Sequence, residues 1–219
     1  MSTIIFDIET GPLPDDQLQA MIPVFDPSTV KVGNFGVEKA KEKISTAKAE
    51  YYFEAMKRAA LSPLTGQVLA IGYKRDAKVA IDDSTERQML LRFWEKFCKQ
   101  EKAGGRMVGH NIFGFDLPFM VRRSWTLGLA HKVPSTLIKQ DRYWSPVFVD
   151  TMVRWRLGDY RKYVSLETLA KAFSVGGKPD GVSGADFARL WEEDRPRAVA
   201  YLKNDLEITF QVAMRLGIV

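Results

Sequence analysis

Thr3 to Ile8 reads Thr-Ile-Ile-Phe-Asp-Ile, β-branched or aromatic at all positions but one. A run this short and this apolar predicts a strand buried on both faces. Val68 to Tyr73 repeats the pattern and predicts a second buried strand. Lys78 to Ile81 predicts a third, set off by the polar turn Arg75-Asp76-Ala77, so the two form a meander. Arg106 to Gly109 is a short fourth strand, and Val147 to Val149 a fifth, closed by Asp150. Between these runs the apolar period changes to that of a helix. Val37, Ala40, Ile44, Ala47, Tyr51 and Ala55 predict a charged helix from Val37 to Leu61. Met89, Leu90, Phe93, Trp94 and Phe97 predict another, opened by Asp83 and Glu86 as a capping box and stopped at Gly104-Gly105. Further helices are expected around Leu117 to Leu127, Leu166 to Phe173, Ala185 to Glu193 and Arg197 to Leu216. Gly11 to Pro27 carries four prolines and is expected to be an irregular loop. The expected fold is α/β, with a mixed central sheet of about five strands flanked by helices and no internal repeat.

A chain of 219 residues, 46% apolar, is long enough for one well-packed core. One domain over residues 1–219 is expected, with a loop-plus-helix insertion at about 12–61 left unassigned. No stretch approaches the ~20 apolar residues of a membrane span, and the N-terminus lacks a signal pattern. A cytoplasmic protein that starts directly on its first strand is the expectation. Cys98 is the only cysteine, so no disulfide forms within the chain, and it reads as a small buried apolar residue. The net charge of +5 and pI of 9.2 favour a polyanionic partner. Lys39, Lys41, Lys43 and Lys48 crowd one helix, either as a solvated face or as a row that follows a phosphate backbone and holds substrate.

Three acidic patterns stand out. Asp7 and Glu9 end the first strand two residues apart, so both project from one face. Such a pair either marks where a strand meets water or holds a hard divalent cation that offsets the repulsion. Asp116, in Asn111-Ile112-Phe113-Gly114-Phe115-Asp116, follows the fourth strand, where ligand sites of α/β sheets collect. It joins that pair, caps the next helix, or does both. Tyr201 and Asp205 lie one turn apart at the border of the stripe Val199, Leu202, Leu206, Phe210 and Ala213.

Together these patterns resemble the DEDDy class of 3′-5′ exonucleases, in the DnaQ-like group of the ribonuclease H-like fold, and in particular the proofreading exonuclease domain of family B DNA polymerases. The family's D-x-E motif is matched by Asp7 and Glu9, its N-x-x-x-F-D by Asn111, Phe115 and Asp116, and its Y-x-x-x-D by Tyr201 and Asp205. The related class with H-x-x-x-x-D would need histidine where Ala200 stands. The resemblance implies hydrolysis of phosphodiester bonds with two divalent metal ions, Mg²⁺ or Mn²⁺, held by Asp7, Glu9, Asp116 and Asp205. It implies that Tyr201 orients the attacking water, that Asp7 bridges the metals, that Thr10 lies near the terminal 3′ hydroxyl, and that Asn111 and Phe115 contact the strand.

The expected activity is therefore a free-standing exonuclease on single-stranded 3′ ends, DNA rather than RNA, with a structure-specific endonuclease or an inactive nucleic-acid-binding module as alternatives. His110 is expected to be a hydrogen-bonded residue at a strand end. Asp150 is expected to cap the turn that follows it. Arg122, Arg123, Arg154, Arg156, Arg161, Lys162 and Lys203 either form a phosphate track or simply solvate the surface, and none is singled out.

Overall fold

The structure is a computed structural model that describes residues 2–33, 35–139, 142–143, 145–159, 163–177 and 184–219. In chain order the elements are β1 (Thr3–Pro12), α1 (Asp15–Met21), α2 (Val37–Ala59), β2 (Gly66–Arg75), β3 (Lys78–Asp82), α3 (Glu86–Lys102), β4 (Arg106–Gly109), α4 (Asp116–Thr126), β5 (Ile138–Lys139), β6 (Arg142–Tyr143), β7 (Phe148–Asp150), α5 (Thr151–Arg156), α6 (Leu166–Phe173), α7 (Phe187–Glu193) and α8 (Arg195–Arg215). They form two compact units, one of residues Met1–Thr10 and Val68–Val219, the other of Gly11–Gln67.

In the first unit five strands make a mixed sheet in the order β3-β2-β1-β4-β7. The strands with continuous apolar runs take its middle. β4 runs parallel to β1, pairing Ile5 with Val108, and parallel to β7, pairing Gly109 with Asp150. β2 and β3 are antiparallel. The predicted α/β architecture is therefore present, and β5 and β6 form a separate small hairpin that the hydrophobic pattern does not announce.

Alternation along β1 divides the core. Phe6 and Ile8 join the cluster of Phe93, Trp94 and Phe97 from α3 and Leu117 and Met120 from α4. The Phe6 and Phe93 rings meet edge to face at 5.2 Å. Ile5, on the other face, packs with Val108 against Leu206 and Ala213 of α8. Each fully buried side chain of this size contributes about 1.5–3 kcal/mol. Gly72 lets α8 approach the sheet: a Cβ there would stand 2.8 Å from Leu206 Cδ1 and 3.1 Å from Leu202 Cδ1. A methyl group at that position would force the Leu202 and Leu206 side chains, on the helix that carries Tyr201 and Asp205, to shift.

The predicted capping box at Asp83 does not form. α3 begins at Glu86 after Thr85, without a side-chain cap. Asp83 pairs with Arg195 at 2.8 Å, while Glu86 takes the buried Arg123 guanidinium at 2.9 and 2.7 Å and the Val68 N–H at 2.9 Å. A buried guanidinium requires a carboxylate, and that demand outweighs a cap the helix start can satisfy with water.

In the second unit the proline-rich stretch is not wholly irregular. α1 starts after Pro14 with Asp15 and Asp16 in its first turn, where acidic side chains favour a helix. Leu18 packs with Leu13, Ala59 and Ile22. α2 keeps Ala40, Ile44, Ala47, Tyr51 and Ala55 half-buried, but Val37 is exposed. Lys43 donates to the Lys31 carbonyl and lies over the Phe35 ring. Among the described residues no helix is long and apolar enough to cross a membrane.

Candidate active site

The period of two that sends Ile5 towards α8 sends Asp7 and Glu9 the same way. Asp205, on the inner side of α8, meets them. One carboxylate oxygen from each of Asp7, Glu9 and Asp205 lies within 4.8 Å of the others. Glu9 and Asp205 are buried and Asp7 is half-buried. The two acids of β1 and the acid of α8 thus share one site, and β1 does not end at these acids as its sequence suggests but runs on to Pro12. Like charges this close repel strongly in a poorly solvated site unless a cation is shared between them.

Asp116 stands beside this group, 3% exposed, as the first residue of α4. It does not cap that helix; Phe115 holds the cap position and no side chain caps it. Burial pushes the Asp116 carboxyl well above the usual carboxylate range, the charge of Asp7 adds to this and that of Asp150 adds further, while the backbone N–H groups of Asp116 and Ile8 pull the other way. Its Oδ1 is buried and has no hydrogen-bond partner among the described residues. Such an oxygen is costly in a core and well suited to a ligand.

Tyr201 and Asp205 are both buried, deeper than the border position their spacing suggests. Tyr201 hydrogen-bonds to Asp205. Burial pushes its phenol pKa up beyond any working pH, and the charges of Asp205, Glu9 and Asp7 add to the shift. Thr10 is buried next to Glu9. Asn111 adopts φ +60°, in the left-handed region that asparagine tolerates best after glycine. Phe115 is half-buried, its ring tilted against Phe119 at 5.5 Å.

His110 is tied down as expected. Its Nδ1 lies 2.8 Å from the Thr151 hydroxyl and its Nε2 2.9 Å from the Val164 carbonyl. Of the basic candidates, Arg123 is withdrawn from any phosphate track by its buried pairing with Glu86. Arg122, Arg154 and Lys203 are exposed. Arg161 and Lys162 lie outside the described residues. Cys98 is half-buried rather than buried. The residue that sequence reasoning undervalued is Asp150, whose carboxylate does more than cap α5.

A mixed five-stranded sheet flanked by helices, with acids on its central strand, places the chain in the ribonuclease H-like exonuclease fold. The structure is similar to that of the family B DNA polymerase from the hyperthermophilic archaeon Pyrobaculum calidifontis, with a TM-score of 0.58 and 19% identity, over 99% of this chain and 24% of that one. The chain thus spans about a quarter of the polymerase. Residues 72–219 match the family described as "Predicted 3'-5' exonuclease related to the exonuclease domain of PolB", and the chain belongs to that family. No protein with a curated description matches it. The matched segment includes Asp116, Tyr201 and Asp205; Asp7 and Glu9 lie before it and join them through the fold.

Proposed function

We propose that this protein is a metal-dependent 3′-5′ exonuclease that removes nucleotides from single-stranded ends, DNA in preference to RNA. The observation that carries the reading is the convergence of Asp7, Glu9 and Asp205 within 4.8 Å, beside the buried Asp116, in a chain of this family. Carboxylate oxygens alone make up this donor set, which suits hard dications such as Mg²⁺ or Mn²⁺. The unpartnered Asp116 Oδ1 fits the same demand. When bound, a pair of such ions acidifies water and offsets the charge that builds on the leaving oxygen.

The chain's own residues supply the rest. Asp7, Glu9, Asp116 and Asp205 are the ligand set, drawn from β1, α4 and α8. Tyr201 keeps its proton at every working pH and gives it to Asp205 in a hydrogen bond, so it does not act as a base; its oxygen orients the attacking water by accepting a hydrogen bond from it. Thr10 lines the place of the terminal sugar, Asn111 contacts the strand, and the open face of Phe115 stacks on a terminal base. The relationship to a polymerase that acts on DNA favours deoxyribose.

A Tyr201→Phe variant should therefore be slowed rather than silenced. Loss of one hydrogen bond to a charged network amounts to about 1.5–3 kcal/mol, roughly ten- to a hundredfold in rate. Its alkaline pH profile up to about pH 9 should have the wild-type shape, because no phenolate forms in that range. A lost alkaline limb in the variant would make Tyr201 the base and remove this assignment.

The function itself is tested on a 5′-labelled single-stranded DNA oligonucleotide with Mg²⁺ or Mn²⁺, against EDTA, with RNA of the same sequence and a circular DNA beside it. The expected result is a ladder that shortens one nucleotide at a time from the 3′ end, stops with EDTA and leaves the circle intact. Cutting of the circle would identify an endonuclease, and intact substrates under every metal a binding module.

A further inference from the structure

The carboxylate of Asp150 is 3% exposed and accepts four backbone N–H groups. Its Oδ1 takes those of Met152 at 2.8 Å and Val153 at 3.4 Å, which is the cap of α5, and also that of Asn111 at 2.9 Å. Its Oδ2 takes the Phe113 N–H at 3.1 Å. A helix cap needs only one of these oxygens. The second is spent entirely on the loop between β4 and α4.

Apart from the His110 ring, held by the Thr151 hydroxyl and the Val164 carbonyl, the backbone of that loop bonds otherwise to itself. The Asn111 carbonyl accepts from Gly114 and Phe115, each at 3.0 Å, and the Ile112 carbonyl accepts from Leu117 at 2.9 Å. The N–H groups of Asn111 and Phe113 are the ones handed to Asp150. Asn111 sits at φ +60°, a left-handed turn that asparagine tolerates, with its N–H fixed by Asp150. At the start of the loop a Cβ on Gly109 would come within 2.9 Å of the Phe6 carbonyl, so β4 and β1 run in close contact where the loop leaves the sheet. At its end stands Asp116. An asparagine would cap α5 as well as an aspartate does, and without placing a second negative charge near Asp116.

We infer that Asp150 is a positioning residue for the proposed nuclease site: it clamps Asn111 and Phe113 through their backbone and so sets where Asp116 is presented to a metal. This rests on the proposed exonuclease reading for its effect on turnover, though not for its effect on the loop. Outer groups that hold a metal ligand in place typically affect metal affinity or activity by about 10- to 100-fold.

The deciding variant is Asp150→Asn. It keeps one oxygen for the Asn111, Met152 and Val153 N–H groups but turns an NH₂ towards the Phe113 N–H, where no hydrogen bond can form. Expected are exchange of the Phe113 amide accelerated about tenfold or more with Met152 unchanged, and Mn²⁺ binding without substrate weakened about tenfold. Turnover should fall about as far, with KM for the oligonucleotide little changed. Wild-type Mn²⁺ affinity and Phe113 exchange in the folded variant would overturn the inference and leave Asp150 a simple cap. If Asp150→Asn does not fold, Asp150→Ser keeps a capping oxygen and releases Phe113, and the same comparisons apply. A wild type that binds Mn²⁺ but cleaves nothing would count against the proposed function alone; amide exchange and Mn²⁺ affinity would still decide the role of Asp150.

Discussion

Asp205→Asn is expected to abolish cleavage, by roughly a thousandfold or more, while leaving the protein folded. Asp205 is the acid that α8 contributes to a group otherwise drawn from β1, and one of its oxygens lies within 4.8 Å of one oxygen each of Asp7 and Glu9. A dication's stabilisation of the developing charge is worth several kcal/mol, and about 1.4 kcal/mol is a factor of ten in rate. Asparagine preserves shape and an acceptor for Tyr201, so the buried hydrogen bond survives. The loss would then report charge, not packing. Single-turnover rates across a Mn²⁺ titration, with circular dichroism as the folding check, decide it. Turnover within tenfold of wild type would remove Asp205 from the site.

The second large effect is one of opposite signs. Asp116→Asn should eliminate cleavage as well, yet raise the melting temperature of the metal-free protein at neutral pH. Burial and the charge of Asp7 hold the folded-state pKa of Asp116 well above its unfolded value of about 4. The native state therefore binds more protons than the unfolded chain between those two values, and stability falls as pH rises from about 4 through the native pKa. Asparagine cannot ionise, and its NH₂ can donate to a neighbouring carboxylate. In EDTA the variant should melt at least a few degrees higher near pH 7, a shift of about 2–4 °C for each kcal/mol in a chain of this size. The gap should close towards pH 4, where wild-type Asp116 is protonated. Divalent metal should stabilise wild type and shrink the gap at neutral pH. A variant that melts lower in EDTA at pH 7 would contradict the strained carboxylate.

These two experiments concern the same few residues, and the residues were legible to different degrees. The apolar run of β1, the period of α8 and the spacing of Asp7 and Glu9 are local properties, so strand, helix and shared face follow from a few consecutive residues. The β4 and α6 boundaries agree with the structure for the same reason. Glu86 and Asp83 misled because their partners, Arg123 and Arg195, are 37 and 112 residues away. Arg123, one of several scattered basic residues in the sequence, is buried and paired with Glu86.

The chain by itself therefore determined an α/β sheet, the order of its main strands and helices, and three acidic motifs in the order of a known exonuclease family. Only the tertiary structure decided that Asp205 reaches Asp7 and Glu9, that Asp116 is strained rather than capping, and that Asp150 grips a loop 37 and 39 residues earlier. The physical reason is one of range. Propensity and periodicity act within a turn or a pleat, whereas charge, burial and backbone hydrogen bonding act between any groups that the packed core of Phe6, Phe93 and Leu117 and the close approach at Gly72 bring together.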